Sequence, residues 1–264
     1  MCIARSVGQG GQNDHSDVKT IQILLNLAAK AIGLATTLAE DGVLGASTLD
    51  AIKKFQSRVL EMSSPDGRVD PDSAAVLRLR VFLAGATSTV KLKGTLINAP
   101  EANLALYATA LSTRMHDREI TGSLREAHFL AQIGHESGEL RYAEELASGE
   151  AYEGRKDLGN TEPGDGPRFK GRGLIQLTGR TNYLKYGQAI GKDLVTNDHW
   201  KLVAEEPELA VDVACWYWDT HHLNQSADED DITTITRRIN GGLNGLDSRK
   251  ALLTRAKFFL PSGI

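Results

Sequence analysis

The chain is poor in cysteine, in aromatic residues and in long apolar runs. Only Cys2 and Cys215 occur among 264 residues, which excludes a scaffold held together by disulfides. Aromatic residues make up 6% of the chain, and no stretch approaches the roughly 20 apolar residues that a membrane-spanning helix needs. The N-terminal sequence lacks the apolar core of a signal peptide. We therefore expect a cytoplasmic protein without stable membrane association, which leaves that compartment only when another factor releases it.

The charge balance excludes a second class of protein. The net charge is -4, with 30 Lys and Arg against 34 Asp and Glu, and no long run of one sign occurs. This balance is not that of a nucleic-acid-binding protein. The acidic stretch Asp228–Asp231 is interpreted as a solvated loop before a helix rather than as a metal site. With 41% apolar residues, the chain has enough material for one large domain or two small ones.

Helical periodicity marks the first part of the chain. Apolar residues recur at helical spacing from Val18 to Leu25, and a second helix is predicted from Ser47 to Leu60. Asp70-Pro71 favours the start of a third helix over Ala74 to Phe82. Residues 1–83 are therefore predicted to form a small three-helix domain.

The following residues change in character. Residues 84–98 are mostly small and polar without a helical period, and we interpret them as a linker. Helical spacing returns over Asn103 to Met115 and over Arg125 to His135. Residues 99–264 are thus predicted to form a second, larger helical domain.

An acidic cluster follows the apolar helix that ends near His135. Glu136 is followed nine residues later by Glu145, which stands directly after Glu144. Paired carboxylates are typical of glycosidases, where one protonates the leaving oxygen and the other activates water. On one straight helix, nine residues would turn the second side chain by about 180° and raise it by about 13.5 Å. The helix must therefore end soon after Glu136. We expect it to end at Ser137-Gly138, because glycine readily ends helices.

A glycine-rich segment over residues 169–183 carries the next polar groups. If the segment is extended, its side chains alternate, so Gln176 and Thr178 share one face while Ile175 and Leu177 point into the core. A hydroxyl and an amide on one face suit a positioned water and an N-acetyl group.

Asn240 stands in a third segment, Arg-Arg-Ile-Asn-Gly-Gly, with Arg249 beyond it. Its amide suits an acetamido group, or it ends a helix before glycine.

The histidines and cysteines do not indicate a metal or thiol enzyme. His128 and His135 are seven residues apart, and the segment His-Glu-Ser-Gly-Glu lacks the second histidine of a His-Glu-x-x-His zinc helix. Cys215 lies in an apolar run, which is typical of a buried structural thiol. We therefore expect no metal and no cysteine nucleophile.

The stretch Asp41–Thr48, followed by Ala51-Ile52 and Phe55-Gln56, resembles the peptidoglycan-binding module of cell-wall hydrolases. The resemblance covers about residues 15 to 80 and implies bacterial peptidoglycan as the binding partner. The alternative is a helical bundle whose glycines merely make a tight turn.

Three segments together resemble glycoside hydrolase family 19, and in particular the chitinase-like domains of phage endolysins: His-Glu-Ser-Gly, Gly-Arg-Gly-Leu-Ile-Gln-Leu-Thr-Gly-Arg with the following Asn-Tyr, and Ile-Asn-Gly-Gly. The resemblance spans about residues 100–258. It implies a mainly α fold with a lysozyme-like catalytic domain, an inverting mechanism and no cofactor. Glu136 matches the general acid, Glu145 the general base, and Thr178 the residue that holds the attacking water.

The remaining site residues follow from the same resemblance and from their neighbourhood. Predicted substrate-binding residues are His135, Gln176, Tyr183, Asn240 and Arg249. Plant members of the family place their second glutamate much further along, so the assignment of Glu145 depends on the endolysin branch. The adjacent Glu144 is the competing candidate.

The sequence thus predicts a monomeric endolysin that waits in the cytoplasm of an infected bacterium until it is released to the wall. There it would cleave the β-1,4 bond between N-acetylmuramic acid and N-acetylglucosamine. The alternatives are a chitinase acting on N-acetylglucosamine polymers and a non-catalytic wall-binding protein.

Overall fold

The computed structural model describes residues 2–261 and is mainly α-helical, as predicted. The described residues form two compact units. The first comprises the residues up to Asn98 together with those from Thr254 onward, and the second is Ala99–Leu253. No helix in the part of the chain that the structure describes is long and apolar enough to cross a membrane.

The first unit contains five short helices, a 3₁₀ turn and one pair of strands. The elements are β1 Val7–Gly8, α1 His15–Leu27, α2 Ala29–Ile32, α3 Ala46–Arg58, β2 Arg68–Val69, α4 Ala74–Arg80, the 3₁₀ turn Val81–Gly85 and α5 Ser88–Thr95. Strands β1 and β2 are antiparallel, with Val7 opposite Val69. The three predicted helices correspond to α1, α3 and α4, with ends that differ by a few residues.

Helix α1 buries the apolar stripe that predicted it, from Val18 to Leu25. Its N-cap is Asp14, whereas Asp17 lies in the first turn. The Asp17 carboxylate accepts hydrogen bonds from the backbone N–H groups of Ala4 (3.0 Å) and Arg5 (2.7 Å). A buried carboxylate needs such partners, and here it fixes the N-terminal segment against the helix.

A buried glutamine on α1 holds the first Asp-Gly turn. The Gln22 amide donates to Oδ1 of Asp41 (2.9 Å), and its oxygen accepts the N–H of Gly42 (2.8 Å). The Val43 N–H also donates to Oδ1 of Asp41 (3.0 Å). This last bond is the main reason that the Asp41 pKa lies below its usual range.

The same arrangement recurs on α3. Gln56 donates to Oδ1 of Asp66 (2.6 Å) and accepts the N–H of Gly67 (2.7 Å), while the N–H of Arg68 donates to Asp66 (2.9 Å). The unit is therefore built from two helix-plus-turn segments with the same internal hydrogen bonds, a repetition that the residue pattern alone had not indicated.

The segment predicted as a linker is instead a packed helix. Leu92, Leu96 and Ile97 are buried, and a side chain at Gly94 would collide with the ring of Phe259. Arg255 donates to the Gly94 carbonyl (2.6 Å). Leu92 and Leu96 are four positions apart, and the small polar residues between them concealed this face. The first unit thus takes in residues 84–98 and the chain from Thr254 onward, which the sequence had assigned to a linker and to the second domain.

The second unit carries the remaining elements. They are α6 Glu101–Asp117, α7 Ser123–Glu136, the 3₁₀ turns Glu150–Tyr152 and Lys156–Leu158, α8 Asp165–Arg168, α9 Arg180–Ile190, the 3₁₀ turn His199–Lys201, α10 Leu202–Glu205, α11 Pro207–Thr220, α12 Leu223–Asp228, α13 Ile232–Asn240 and α14 Leu246–Phe259, of which α14 continues into the first unit.

Helix α11 forms the centre of the second unit. It begins with proline in its first turn, which suits the missing N–H. Trp218 packs edge-on against Phe129 with ring centres 5.4 Å apart, and Trp216 lies 5.3 Å from Tyr186. Cys215 is fully buried, and this burial raises the pKa of its thiol. The thiol is therefore a core group, as predicted.

Gly94→Ala tests the packing of α5. The new methyl would lie 2.2 Å from the nearest ring carbon of Phe259, so we expect a loss of about 1–3 kcal/mol in the free energy of unfolding. Thermal and urea unfolding of the full chain measure this loss. Gly85→Ala is the matched control, because its methyl would meet nothing within 4 Å. Equal stability of both variants would contradict the packed helix.

Candidate active site

Glu136 is the last residue of α7, and the helix ends there as predicted. The Ser137 hydroxyl donates back to the Ile133 carbonyl (2.6 Å) and accepts the N–H of Leu140 (2.8 Å). Gly138, Glu139 and Leu140 then follow with φ angles of 59°, 56° and 63°. Two of these three are not glycine, and left-handed backbone costs such residues about 1–2 kcal/mol each. Burial of Leu140 offsets part of this cost, because its side chain is fully excluded from solvent.

A buried arginine holds the Glu136 carboxylate. Arg249 of α14 is fully buried, and its Nη2 lies 2.5 Å from Oε1 of Glu136. Its Nη1 donates to Oε1 of Gln132, one helical turn before Glu136. The guanidinium therefore fixes two side chains of one helix face. The structure corrects the substrate-binding role predicted for Arg249, since a fully buried side chain that binds Glu136 does not face a substrate.

His135 is held by the start of α14. Its Nδ1 lies 3.0 Å from the Ser248 hydroxyl, and Gly245 packs directly against the edge of the ring that carries Nε2. Partial burial and the nearby charge of Arg249 lower the His135 pKa, while Glu136 opposes this shift. The neutral form of the His135 imidazole is therefore favoured.

Both oxygens of the Glu145 carboxylate are hydrogen-bonded. The Gly171 N–H donates to Oε2 (3.1 Å), and the Tyr152 hydroxyl donates to Oε1 (3.0 Å). The Glu145 backbone N–H donates to the Gly171 carbonyl (2.9 Å). A side chain on Gly171 would meet Oε1 of Gln176 at 2.8 Å and Oε2 of Glu145 at 3.3 Å. The glycine thus allows Gln176 and Glu145 to approach the same stretch of backbone.

Glu144 has a different environment from its neighbour. Its side chain is 46% exposed and forms ion pairs with Arg172 (2.8 Å) and Lys170 (3.3 Å). Lys170 also donates to the Glu145 carbonyl (3.0 Å). Two cations therefore satisfy Glu144, whereas Glu145 is held by neutral donors. This difference favours Glu145 as the reactive carboxylate.

The segment that carries Gln176 is a tight turn rather than an extended strand. Arg172 and Leu177 face each other across it, and the Gln176 N–H donates to the Gly173 carbonyl (3.1 Å). Gly173 and Gln176 both have left-handed φ angles, 72° and 57°. The predicted alternation of side chains is therefore wrong, because it assumed an extended segment. The burial of Ile175 and Leu177 is confirmed.

Thr178 follows this turn and is partly exposed. Its hydroxyl donates to the Gln176 carbonyl (2.9 Å), and the Asn182 amide donates to the Thr178 carbonyl (2.7 Å). Because the hydroxyl hydrogen is used within the turn, its oxygen is oriented to accept a hydrogen bond from another group.

Tyr183 is a core residue. Its side chain is fully buried, and its hydroxyl donates to the Lys170 carbonyl (2.9 Å) and accepts from Arg172 (3.3 Å). Burial raises its pKa. The predicted substrate-binding role is therefore corrected: Tyr183 supports the backbone beside Gly171 and does not face a substrate.

Asn240 is the last residue of α13 and is exposed, before Gly241 in a left-handed conformation. Helix α13 reaches the Glu136 region through Tyr217, whose hydroxyl donates to the Arg238 carbonyl (3.0 Å). Burial raises the pKa of Tyr217, with a smaller contribution from the charge of Glu136. Asn240 thus ends α13 before a glycine, which agrees with the alternative interpretation of this residue.

No group of three or more potential metal ligands occurs among the described residues 2–261. Within the acidic stretch, Asp228 pairs with Arg125 (2.7 Å), Asp230 lies 2.8 Å from His128, and Asp231 caps α13 through the N–H of Thr234 (2.9 Å). Part of the stretch is the end of α12 rather than a loop.

Comparison with known proteins identifies the second part of the chain. A family model for class I chitinases matches residues 94–242, which include every predicted site residue except Arg249. The chain belongs to glycoside hydrolase family 19. A model for a peptidoglycan-binding domain matches residues 14–77, within the first unit.

Individual relatives agree with this assignment. A family 19 domain-containing protein of Haemophilus influenzae is 33% identical, over 57% of this chain and 86% of its own length. Acidic endochitinase Q of Nicotiana tabacum is 31% identical over 50% of this chain, which spans 57% of that protein. Chitinase C of Streptomyces griseus has a similar structure, with a TM-score of 0.55, 25% identity, and coverage of 66% of this chain and 91% of the chitinase chain.

Three residues that contact the candidate carboxylates or Arg249 were not predicted from the sequence. Gln132 precedes Glu136 by four positions, so helical spacing was a sufficient signal. Lys170 and Tyr152 reach Glu145 through folded loops. No periodicity in the sequence indicates either contact.

The titration of His135 tests the environment of Glu136. We expect its pKa below the ordinary value of about 6.5, which NMR of the ring carbons measures in the full chain. Since the folded state then binds this proton less readily than the unfolded chain, His135 lowers stability as the pH falls from the unfolded pKa to the folded pKa. A midpoint at or above the ordinary value would contradict the described packing.

Proposed function

We propose that this family 19 protein is an endolysin-type peptidoglycan hydrolase, which cleaves the β-1,4 bond between N-acetylmuramic acid and N-acetylglucosamine. One observation carries the proposal: a single chain combines a match to a peptidoglycan-binding domain with a family 19 domain in which Glu145 is fixed by Gly171 and Tyr152.

Glu136 is the proposed general acid. Arg249 contacts its Oε1, so the proton for the leaving oxygen would be carried by Oε2. The end of α7 at this residue leaves the carboxyl group on the final helical turn. Its side chain is 16% exposed, so it is not fully buried.

Glu145 is the proposed general base, and Thr178 the proposed holder of the attacking water. The water would donate one hydrogen bond to the Thr178 oxygen and its other proton to Glu145, so that its lone pair is directed at the anomeric carbon. An inverting enzyme requires about 6.5–9.5 Å between its two carboxyl groups to leave room for this water. The reversal of the chain after Glu136 supports such an arrangement.

The first unit would raise the local substrate concentration by tethering the enzyme to the wall. We infer a monomer that stays in the cytoplasm of an infected bacterium until a separate pore-forming partner releases it. The match to a peptidoglycan-binding domain supports the wall as its destination.

Chitin hydrolysis is the second candidate. The names of the tobacco and Streptomyces relatives describe chitinases, which favours polymers of N-acetylglucosamine as substrate. The two candidates differ in the sugar on each side of the bond.

Fragment analysis of purified peptidoglycan tests the proposed reaction. We expect wild-type protein to release fragments with reducing N-acetylmuramic acid ends, identified by mass spectrometry. Glu136→Gln and Glu145→Gln should each lower the rate by about 10²–10⁴-fold, because each removes a proton-transfer group. Glu144→Gln is the matched control. It removes the ion pairs to the buried Arg172 (2.8 Å) and to Lys170 (3.3 Å) but no proposed proton-transfer group, so we expect the rate to stay within a few-fold of wild type.

Other products would assign another reaction. Reducing N-acetylglucosamine ends would indicate a glucosaminidase, and anhydro ends a lytic transglycosylase. Cleavage of glycol chitin without cleavage of peptidoglycan would establish the chitinase. Inactivity on both substrates would favour a binding protein. Loss of activity in Glu144→Gln with full activity in Glu145→Gln would exchange the roles of the two residues.

Thr178→Val removes the proposed water contact and the bond to the Gln176 carbonyl. We expect kcat to fall by about 10- to 100-fold through misplacement of the water. Thr178→Ser keeps the hydroxyl and should retain most of the activity. Wild-type activity in Thr178→Val, or an equal loss of activity in Thr178→Ser, would contradict the proposed role of the hydroxyl.

A further inference from the structure

Tyr152 lies outside every motif that predicted the site, yet its hydroxyl is 3.0 Å from Oε1 of Glu145. The opposite oxygen, Oε2, accepts the Gly171 N–H at 3.1 Å. One donor on each oxygen restricts rotation of the carboxylate. Hydrogen bonds to ionised acceptors are also stronger than neutral ones, so this phenol is a substantial constraint on Glu145.

The backbone of Tyr152 is itself fixed by a buried side chain. The Asn160 amide donates to the Tyr152 carbonyl (2.9 Å), while its oxygen accepts the N–H of Arg180 at the start of α9 (2.8 Å). Asn160 is fully excluded from solvent. The Tyr152 N–H donates to the Gly149 carbonyl (2.9 Å). Hydrogen bonds therefore hold both the backbone N–H and the backbone carbonyl of Tyr152, and its hydroxyl contacts Glu145 in a defined position.

We propose that Tyr152 is a positioning residue for the catalytic base, which orients the Glu145 carboxylate toward the attacking water without touching the substrate. This inference rests on the proposed role of Glu145. Without the phenol, Glu145 keeps only the Gly171 bond, and its carboxylate rotates away from the productive orientation. The orienting chain runs from Arg180 through Asn160 to Tyr152.

The protonation state of Tyr152 is consistent with this role. Burial raises its pKa, and the hydrogen bond and charge of Glu145 raise it further. The phenol therefore remains protonated, and remains a donor, throughout the neutral range. A residue that transferred protons would need a pKa closer to the working pH.

Tyr152→Phe removes only the hydroxyl. In the full chain, acting on soluble glycan strands from purified peptidoglycan and on N-acetylglucosamine hexamer, we expect kcat to fall by about 10- to 100-fold with KM unchanged. Tyr142→Phe is the matched control, because it makes the same change on a ring that is 41% exposed. This control should keep the wild-type kcat. A rise in KM at constant kcat would overturn the proposal in favour of substrate contact, and an unchanged rate would overturn it outright.

A double variant separates positioning of the base from general support of the fold. In a Glu145→Gln background, Tyr152→Phe should cause less than about a twofold further loss of residual activity, because residues that act through one group are not additive. A further loss as large as in wild type would overturn the proposal. Full activity of Glu145→Gln would overturn both this inference and the proposed base. An active Tyr152→Phe beside an inactive Glu145→Gln would overturn only the positioning role.

A spectroscopic measurement tests the contact without relying on activity or on the stability of the Phe variant. With tyrosine labelled at Cζ, the Tyr152 resonance should titrate above the ordinary value of about 10. In Glu145→Gln it should shift toward that value, since the carboxylate charge is removed. An identical titration in both proteins would show that the hydroxyl does not bind Glu145, and would overturn the inference.

Discussion

The second unit depends on a reversal of the chain immediately after Glu136. The Ser137 hydroxyl ends α7 by bonding to the Ile133 carbonyl, and three left-handed residues then turn the backbone. A longer helix would direct Glu145 away from Glu136. The buried Leu140 and the bond from Asn103 to its carbonyl (2.7 Å) stabilise the strained turn. Packing of the core around Leu140 thus stabilises the strained turn that separates Glu136 from Glu145.

Residues from other parts of the chain also hold each of the two carboxylates in place. Glu136 is held by a cation that is itself buried, Arg249, whereas Glu145 is held by a backbone N–H and a phenol. The two carboxylates therefore differ in their hydrogen-bond partners, a buried guanidinium for Glu136 and two neutral donors for Glu145. Glu144, with its two cationic partners and greater exposure, lies beside Glu145 without sharing its environment.

Hydrogen bonds of buried polar side chains stabilise the loops of the first unit. Gln22 and Gln56 each pin an Asp-Gly turn through the same set of bonds, so a small helical unit gains two rigid loops without disulfides. Both cysteines are buried and free. The unit is one of the two compact units of the described residues and contains the match to a peptidoglycan-binding domain. It also includes residues from Thr254 onward, which lie far from the others in sequence.

By itself, the sequence determined the helical class, the positions of α1, α3, α4, α6 and α7, the end of α7, and the family. Each of these follows from local spacing or from short motifs, and local patterns are visible in one dimension. Tertiary structure alone decided that residues 88–95 form a helix, that Arg249 and Tyr183 face inward, and that Tyr152 binds Glu145. The α5 helix and the inward position of Arg249 depend on partners far away along the chain, Phe259 for Gly94 and Glu136 for Arg249. Tyr152 is only seven residues from Glu145, but a folded loop brings the two together. A residue's type tells which bonds it can make, and only packing selects the bond that it does make.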